Sequence, residues 1–305
     1  MPKIIVGIDE SDRSKDAVVL ASQLARGSNA ELVLVCVYPY DDYPARGAGT
    51  GYRRYLREDA EAAIQRAQEG VADLPVVTSH ATPELSPAKG VQAMAAREGA
   101  SLIVIGSSHR GGVGRVLAGT TAERLLHGAP CPVAVAPMGL HTHEGAIGMI
   151  AVAYDRSKES KAALVAATTV ARALGARLRL VEVLDRLWIG TPALMSGPGY
   201  IMPSAELEER AREHLAEVVA GLPEDVSAEP VVLVGDPERD LATQSEGVDL
   251  MFVGSRGYGP HRAVLFGSVS GRLVRHAACP VIVVPRGVEA PLEGLFREPS
   301  GTNAA

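Results

Sequence analysis

The sequence predicts an α/β fold built as two tandem domains, each a five-stranded parallel sheet with helices on both faces. The chain repeats itself once, with corresponding residues 146 to 148 positions apart, so a second domain follows the first. Each copy alternates short apolar runs with amphipathic segments, which is the pattern of a buried parallel sheet covered by helices. With 305 residues, 47% of them hydrophobic, the chain is long enough to build two cores.

The repeat sets the expected domain boundaries. Asp9 and Asp155 each follow the first apolar run of their half, and Cys131 and Cys279 each precede a proline just before the last run. A period of this length indicates whole domains rather than a solenoid of small units. We therefore expect one domain over residues 1–140, a linker over about 138–145, a second domain over 146–286 and a flexible tail over 287–305.

The elements of the first half can be assigned in order along the chain. The apolar run Ile4–Ile8 predicts the first strand, and Ser11 and Asp12 are suitable caps for the helix that follows. The second half repeats the same order of elements, with glycine- and proline-rich loops expected over 41–51 and 185–203 after the second strands. The remaining predicted elements are strands at Leu32–Val37, near Val76–Ser79, at Leu102–Ile105, Val133–Ala136 and Val281–Val284, and helices around Tyr52–Val71, near Ala88–Arg97 and from about Thr120.

Composition and charge exclude several classes of function. The 30 Lys and Arg residues are outnumbered by 36 Asp and Glu residues, and this net charge of −6 is unlike the basic excess of general nucleic-acid binders. No apolar run approaches the roughly 20 residues of a membrane span, and no signal peptide precedes the first predicted strand. Three widely spaced cysteines fit buried thiols in a reducing compartment better than a disulfide framework. We expect a cytoplasmic protein without nucleic-acid or membrane partners.

The candidate site residues follow the predicted strands, because ligands of open parallel sheets bind beyond the carboxyl ends of the strands. Asp9 and Asp155 come directly after the first strand of each half. Val37 and Val183 end the second strand of each half. The sequence therefore predicts that these carboxylates and apolar residues lie at the ligand-binding edge of the two sheets.

A glycine-rich segment follows the fourth predicted strand of each half. In the second half, Gly254, Gly257 and Gly259 let backbone N–H groups approach a ligand closely. Gly267 and Ser268 then open a helix, whose first N–H groups attract an anion such as a phosphate. An ordinary glycine-rich turn followed by a serine N-cap accounts for the same residues, so the segment alone leaves both readings open.

With these motifs together, the sequence resembles the universal stress proteins in their tandem two-domain form. Nucleotide-binding members of that family carry Gly, two residues, Gly, nine residues, Gly and then Ser or Thr, and the glycine-rich segment of the second half matches every position. The resemblance implies two nucleotide-binding-like domains that bind ATP, alone or with Mg²⁺, with Asp and Val contacts to adenosine. The residues implied are Asp155, Val183, Gly235, Gly254, Gly257, Gly267, Ser268 and Val269 in the second half, and Asp9, Val37, Gly106, Gly119, Thr120 and Thr121 in the first half.

The first half departs from this pattern. His109 stands where the family has its second glycine, and Leu85 or a neighbour replaces the glycine that precedes Asp-Pro in the second half. Thr120 also begins a capping box with Glu123, so its hydroxyl has a helix-capping role available. We expect the second domain to bind ATP tightly and the first domain weakly or not at all.

Competing catalytic motifs are absent from the sequence. There is no P-loop motif, no dinucleotide-binding fingerprint after either first strand, and no nucleophile elbow. His141 and His143 lie in the linker and are expected to be solvated rather than to bind a metal. We expect an ATP-binding, non-enzymatic protein with a regulatory role in the stress response, and slow ATP hydrolysis and a nucleotide-free interaction module are the alternatives.

The apolar last strand of each half predicts how the halves assemble. Val133–Ala136 and Val281–Val284 would leave pairing edges open if they were uncovered. Members of the family that the sequence resembles pair through this strand. We therefore expect the two halves to pack as a pseudo-symmetric pair within the chain, and homodimer formation is a further possibility left open by the sequence.

Overall fold

The computed structural model describes residues 1–28, 30–40, 50–74, 76–107, 120–143, 145–185, 204–255, 268–287 and 291–296. The strands of these residues are β1 Lys3–Ile8, β2 Glu31–Tyr38, β3 Val77–Pro83, β4 Leu102–Gly106, β5 Val133–Ala136, β6 Met149–Ala153, β7 Arg177–Asp185, β8 Ala228–Gly235, β9 Leu250–Gly254 and β10 Val281–Val284. The helices are α1 Arg13–Arg26, α2 Thr50–Glu69, α3 Pro87–Glu98, α4 Thr120–Leu126, α5 Lys158–Leu174, α6 Ser204–Ala220, α7 Pro237–Gln244, α8 Ser268–His276 and α9 Pro291–Phe296.

The ten strands form one continuous sheet in the order β3-β2-β1-β4-β5-β10-β9-β6-β7-β8. All neighbours within each half are parallel, and the predicted α/β fold is confirmed. At the centre of the sheet, β5 and β10 are antiparallel, with Ala134 opposite Ile282. The two five-stranded parallel sheets are therefore halves of one ten-stranded sheet.

Both faces of the inner strands of the sheet are largely buried, which explains why most of these strands read as apolar runs, whereas the outermost strands β3 and β8 are only partly buried. Alternate residues of a strand point to opposite faces, so Ile4 and Val6 pack under α1 and α2, whereas Ile5 packs under α3 and α4. Each of the two cores contains residues of both halves and is continuous across the junction of β5 and β10. Among the described helices, none combines the length and apolar character needed to cross a membrane.

The start of α1 differs from the prediction that Ser11 and Asp12 cap it. Asp12 precedes α1 with helical backbone angles and makes no side-chain cap hydrogen bond. The carboxylate of Asp9 instead accepts hydrogen bonds from the Ser11 backbone N–H at 2.9 Å and from Ser14 Oγ at 3.0 Å. The first N–H groups of α1 are bonded to backbone oxygens instead, since the Ser14 N–H donates to the Ser11 oxygen and the Lys15 N–H to the Asp12 oxygen, both at 3.1 Å.

The linker is attached to α1 rather than solvated throughout. The Asp16 carboxylate, only 1% exposed, accepts hydrogen bonds from the backbone N–H groups of Gly139 and His141 at 3.0 and 2.9 Å. His141 Nδ1 lies 2.6 Å from the same carboxylate. His141 is exposed as expected, but its backbone and ring also contact a buried carboxylate of α1, which the sequence did not predict.

Part of the expected flexible tail is an ordered helix, α9. Leu292 and Leu295 are each 1% exposed and belong to the core that also contains residues of α1 and α5. Phe296 approaches the end of α1 closely enough that a Cβ on Gly27 would lie 3.7 Å from its ring. The expectation fails here because three apolar side chains at helical spacing outweigh the proline and glycine that surround them.

The three cysteines are buried as expected. Cys36, Cys131 and Cys279 are 5%, 1% and 4% exposed, and all three are free thiols. Burial raises the pKa of Cys36 to about 11 and that of Cys131 to about 12, and it also raises the pKa of Cys279. The thiols are thus mostly protonated at neutral pH and serve as small apolar core residues.

The burial of α9 predicts that it stabilises the whole fold. Leu295→Ala should lower the free energy of unfolding by about 2–5 kcal/mol, because it leaves a cavity in a closed core. Leu85→Ala is the matched control, since Leu85 is 59% exposed and its truncation should change little. Urea unfolding of both variants measures the difference, and an unchanged unfolding midpoint for Leu295→Ala would show that α9 is not docked.

Candidate functional site

A cleft of about 850 Å³ lies at the carboxyl ends of β6, β7, β8 and β9. Its volume falls within the range of roughly 300–1,000 Å³ that is usual for small-molecule sites. The cleft brings together five of the residues predicted for the second half: Asp155, Val183, Gly235, Gly254 and Val269. Residues far apart in sequence thus meet at the edge of the sheet where ligands of open parallel sheets bind.

The remaining predicted residues of the second half are only partly described. Gly257 and Gly267 lie outside the described residues. Ser268 is the first residue of α8, and Val269 and Ser270 of the same helix line the cleft. The amino end of α8 therefore faces the cleft, and this end of a helix carries unpaired N–H groups.

The Asp155 carboxylate is held at the mouth of the cleft by the turn that follows it. It accepts hydrogen bonds from the backbone N–H of Ser157 at 3.1 Å and from the Ser157 hydroxyl. Ser157 in turn caps α5, because its Oγ accepts a hydrogen bond from the Ser160 backbone N–H at 3.1 Å. Ser157, rather than Asp155, is therefore the cap of α5, and Asp155 lines the cleft.

The turn after β8 is built from Gly235, Asp236 and Pro237. The Asp236 carboxylate caps α7 by accepting hydrogen bonds from the backbone N–H groups of Glu238 and Arg239 at 2.9 and 3.3 Å. The Asp240 carboxylate folds back and accepts a hydrogen bond from the Asp236 backbone N–H at 3.0 Å. A Cβ on Gly235 would lie 1.7 Å from Asp240 Oδ2, so a glycine is what lets this carboxylate reach the strand end.

The first glycine of each glycine-rich segment is required by packing. A Cβ on Gly254 would lie 2.5 Å from the carbonyl carbon of Glu159, in the first turn of α5. A Cβ on Gly106 would lie 2.5 Å from the backbone oxygen of Arg13, in the first turn of α1. The start of α1 therefore packs directly on the end of β4, and the start of α5 on the end of β9. This packing requires a glycine at each strand end whether or not a ligand binds.

Several lining residues were not predicted. Asp185 is the last residue of β7, so the expectation that it begins a loop was wrong, and its position at a strand end is the signal that could have identified it. Tyr154 and Arg239 also line the cleft. Burial, reinforced by the nearby Glu182 carboxylate, raises the pKa of the Tyr154 phenol, so this group stays neutral at physiological pH.

The first half arranges its predicted residues differently. Asp9 and Val37 line a cavity of about 470 Å³ whose other side is formed by α2, including Leu56 and Asp59. Gly106 and Thr121 are described but are not among its lining residues. Thr120 is the first residue of α4, and Gly119 lies outside the described residues.

A contact between α3 and β2 distinguishes the two halves. Gly90 is the fourth residue of α3, as Asp240 is of α7. A Cβ on Gly90 would lie only 2.7 Å from Val37 Cγ2, so α3 closes tightly onto the end of β2. In the second half a carboxylate occupies this helix position and lines the cleft, so the space beside Val183 stays open.

Carboxylates dominate the polar lining of the cleft. The acidic residues are Asp155, Asp185, Asp236, Glu238 and Asp240, and Arg239 is a cation among them. Carboxylates accept hydrogen bonds from hydroxyl and amino groups, and helix amino ends attract anions. Among the described residues, no group of three or more His, Cys, Asp or Glu side chains could hold a metal ion.

The close packing at Gly254 yields a stability prediction. Gly254→Ala should lower the free energy of unfolding by about 1–3 kcal/mol, because its Cβ would collide with backbone atoms of α5. Gly145→Ala is the control, since no atom lies within 4 Å of the added Cβ. Denaturant unfolding tests both, and a Gly254→Ala chain as stable as the Gly145→Ala chain would contradict the packing role.

Comparison with known proteins identifies the family of this chain. The sequence model of the Universal stress protein family matches residues 1–137 and 148–285. A universal stress protein of Mycolicibacterium smegmatis is 31% identical over 290 residues, which cover 92% of this chain and 96% of the relative. A universal stress protein of Mycobacterium tuberculosis is 26% identical over 294 residues, covering 92% of this chain and 99% of the relative.

Solved structures agree on the fold. The crystal structure of a universal stress protein from Archaeoglobus fulgidus has a TM-score of 0.67 at 20% identity and covers 93% of this chain and 98% of its own. A universal stress protein from Pseudomonas aeruginosa has a TM-score of 0.66 at 17% identity, with 98% of both chains covered. The resemblance drawn from the motifs is confirmed over both halves, and the chain belongs to the universal stress protein family.

Proposed function

We propose that the chain binds ATP in the cleft of its second half and acts through nucleotide-dependent conformation or association rather than as an enzyme. The observation that carries this proposal is the meeting of Asp155, Val183, Gly235, Gly254 and Val269 around one cleft. These residues come from separate parts of the sequence and were selected from their motifs. A cleft of about 850 Å³ is also large enough for a nucleotide.

The polar groups of the cleft suit the two ends of a nucleotide. Ribose hydroxyls and the adenine amino group donate hydrogen bonds, and the carboxylates of Asp155 and Asp185 are acceptors at the strand ends. The phosphates would lie toward the amino end of α8, where backbone N–H groups and the helix dipole favour negative charge. Mg²⁺ would then be held mainly by the phosphate oxygens, with a cleft carboxylate as a supplementary ligand.

The first half is the weaker site in this proposal. His109 interrupts the glycine pattern there, and the close contact of Gly90 with Val37 brings α3 onto the strand end. The Asp9 carboxylate and Val37 open instead toward α2. We therefore propose one tight ATP site for each chain, in the second half.

Matched aspartate variants test the site directly. Asp155→Ala should weaken ATP binding about 10- to 100-fold, because a hydrogen bond to a charged group contributes roughly 1.5–3 kcal/mol. Asp9→Ala, the same change at the equivalent place in the first half, should leave the tight site unchanged. Calorimetric titration of nucleotide-stripped protein measures both affinity and stoichiometry. Two sites of equal affinity, or equal losses in the two variants, would contradict a single site in the second half.

Slow ATP hydrolysis is the second candidate function, since Asp155 and Asp185 both line the cleft and carboxylates are common ligands of Mg²⁺. Chromatography of the nucleotide released by denaturing freshly purified protein, before and after incubation, separates the candidates. ATP that persists through many hours would support binding without turnover, whereas progressive conversion to ADP would support hydrolysis. Protein that carries no nucleotide and binds none on titration would favour an interaction module.

A further inference from the structure

The residue after Asp155 has an unusual backbone conformation. Arg156 has φ of +65°, and among the described residues it is the only one other than glycine with positive φ. This left-handed region is disfavoured for a side chain with a Cβ, and arginine lacks the short polar group that lets Asn and Asp tolerate it. Such a conformation persists only where surrounding contacts determine it, and it is often associated with binding sites.

An ion pair with a buried carboxylate fixes the exposed side chain of Arg156. Arg156 Nε and Nη2 donate hydrogen bonds to the two carboxylate oxygens of Glu182, at 2.9 and 3.2 Å. Glu182 lies on β7 and is only 6% exposed, so its carboxylate is largely withdrawn from water. The two parallel hydrogen bonds fix the orientation of the guanidinium plane as well as its distance.

The ion pair lies beside a ring pair that leaves little freedom at the end of β6. Tyr154 is 4% exposed, and its ring stacks on that of His214 from α6, with 6.4 Å between the centroids and 28° between the planes. Tyr154, directly before Asp155, is also bonded to β7, because its backbone N–H donates to the Val181 oxygen at 2.9 Å. The Asp155 turn is therefore anchored on β7 from both sides.

The first half has no equivalent of this arrangement. By the repeat of 146 residues, Glu10 stands in the place of Arg156 and Cys36 in the place of Glu182. A carboxylate and a thiol cannot form this ion pair. None of residues 9–12, which form the corresponding turn of the first half, has positive φ.

We propose that Arg156 and Glu182 are positioning residues, which hold the left-handed turn so that the Asp155 carboxylate is presented to the cleft before a nucleotide arrives. Asp155 and Ser157, on either side of Arg156, both line the cleft, whereas the arginine side chain is turned away onto Glu182. A turn fixed in the free protein lowers the ordering cost of binding. This inference rests on the proposed function, and it assigns part of the difference in affinity between the halves to the turn.

A double-mutant cycle tests the inference. Glu182→Gln keeps the size of the side chain but removes its charge, and it should weaken ATP binding about tenfold by loosening the turn. Glu229→Gln is the matched control, because Glu229 forms an ion pair of the same type with Arg179 between β7 and β8, at 2.5 Å. In an Asp155→Ala background, Glu182→Gln should cause no further loss, since its effect acts through Asp155.

The outcomes separate this inference from the proposed function. The affinity for ATP is measured by calorimetry on variants that thermal unfolding shows to be folded. Arg156→Lys keeps a cation but loses the two-pronged contact, so its affinity should lie between those of the wild type and Glu182→Gln. If the wild-type chain binds ATP but the affinity losses of Asp155→Ala and Glu182→Gln add in the double variant, the positioning role is wrong and the proposed function stands. Unchanged affinity in Glu182→Gln with lowered thermal stability would also overturn it. A wild-type chain that binds no ATP would overturn the proposed function and this inference together.

Discussion

The antiparallel pairing of β5 with β10 is the constraint on which the rest of the architecture depends. Both strands are short, apolar and buried, so each would be an open pairing edge in the absence of the other. Their pairing makes two parallel sheets into one and lets the core on each face run through both halves. Because the pairing is antiparallel, the carboxyl ends of the strands in the two halves lie at opposite edges of the sheet. The second-half cleft and the first-half cavity consequently lie at opposite edges of the sheet and are separate pockets.

Close backbone approaches determine the shape of each strand edge. Gly106 and Gly254 admit the first turns of α1 and α5, so the first-strand turns are set against the ends of β4 and β9. The halves diverge at the third helix of each, where Gly90 brings α3 onto Val37 but Asp240 keeps its carboxylate over Gly235. The first-half cavity accordingly borders α2, whereas the second-half cleft borders α7 and α8. Similar sheets can therefore offer dissimilar sites.

The sequence predicted the inner strands of the sheet well because they are largely buried on both faces and most read as apolar runs. Val133–Ala136 and Val281–Val284 occur at the expected residues, and the cleft unites Asp155, Gly235 and Gly254 as their places after strands imply. What the sequence missed is mostly contacts between distant segments, beside local differences at the start of α1 and at Asp185. The attachment of His141 to Asp16, the docking of α9 and the pairing of Arg156 with Glu182 each join residues whose proximity only the folded chain reveals. Local patterns carry no information about such pairs.

Covalent fusion of the two halves has an evolutionary consequence. In a symmetric homodimer every substitution occurs in both subunits, so a change that improves one site is imposed on the other. A chain that carries both halves, joined through the linker attached to Asp16, frees each copy to diverge. One such difference is the presence of Glu10 and Cys36 in the first half at the positions of Arg156 and Glu182 in the second. The pairing of the halves is also intramolecular, so its completeness does not vary with the amount of protein in the cell.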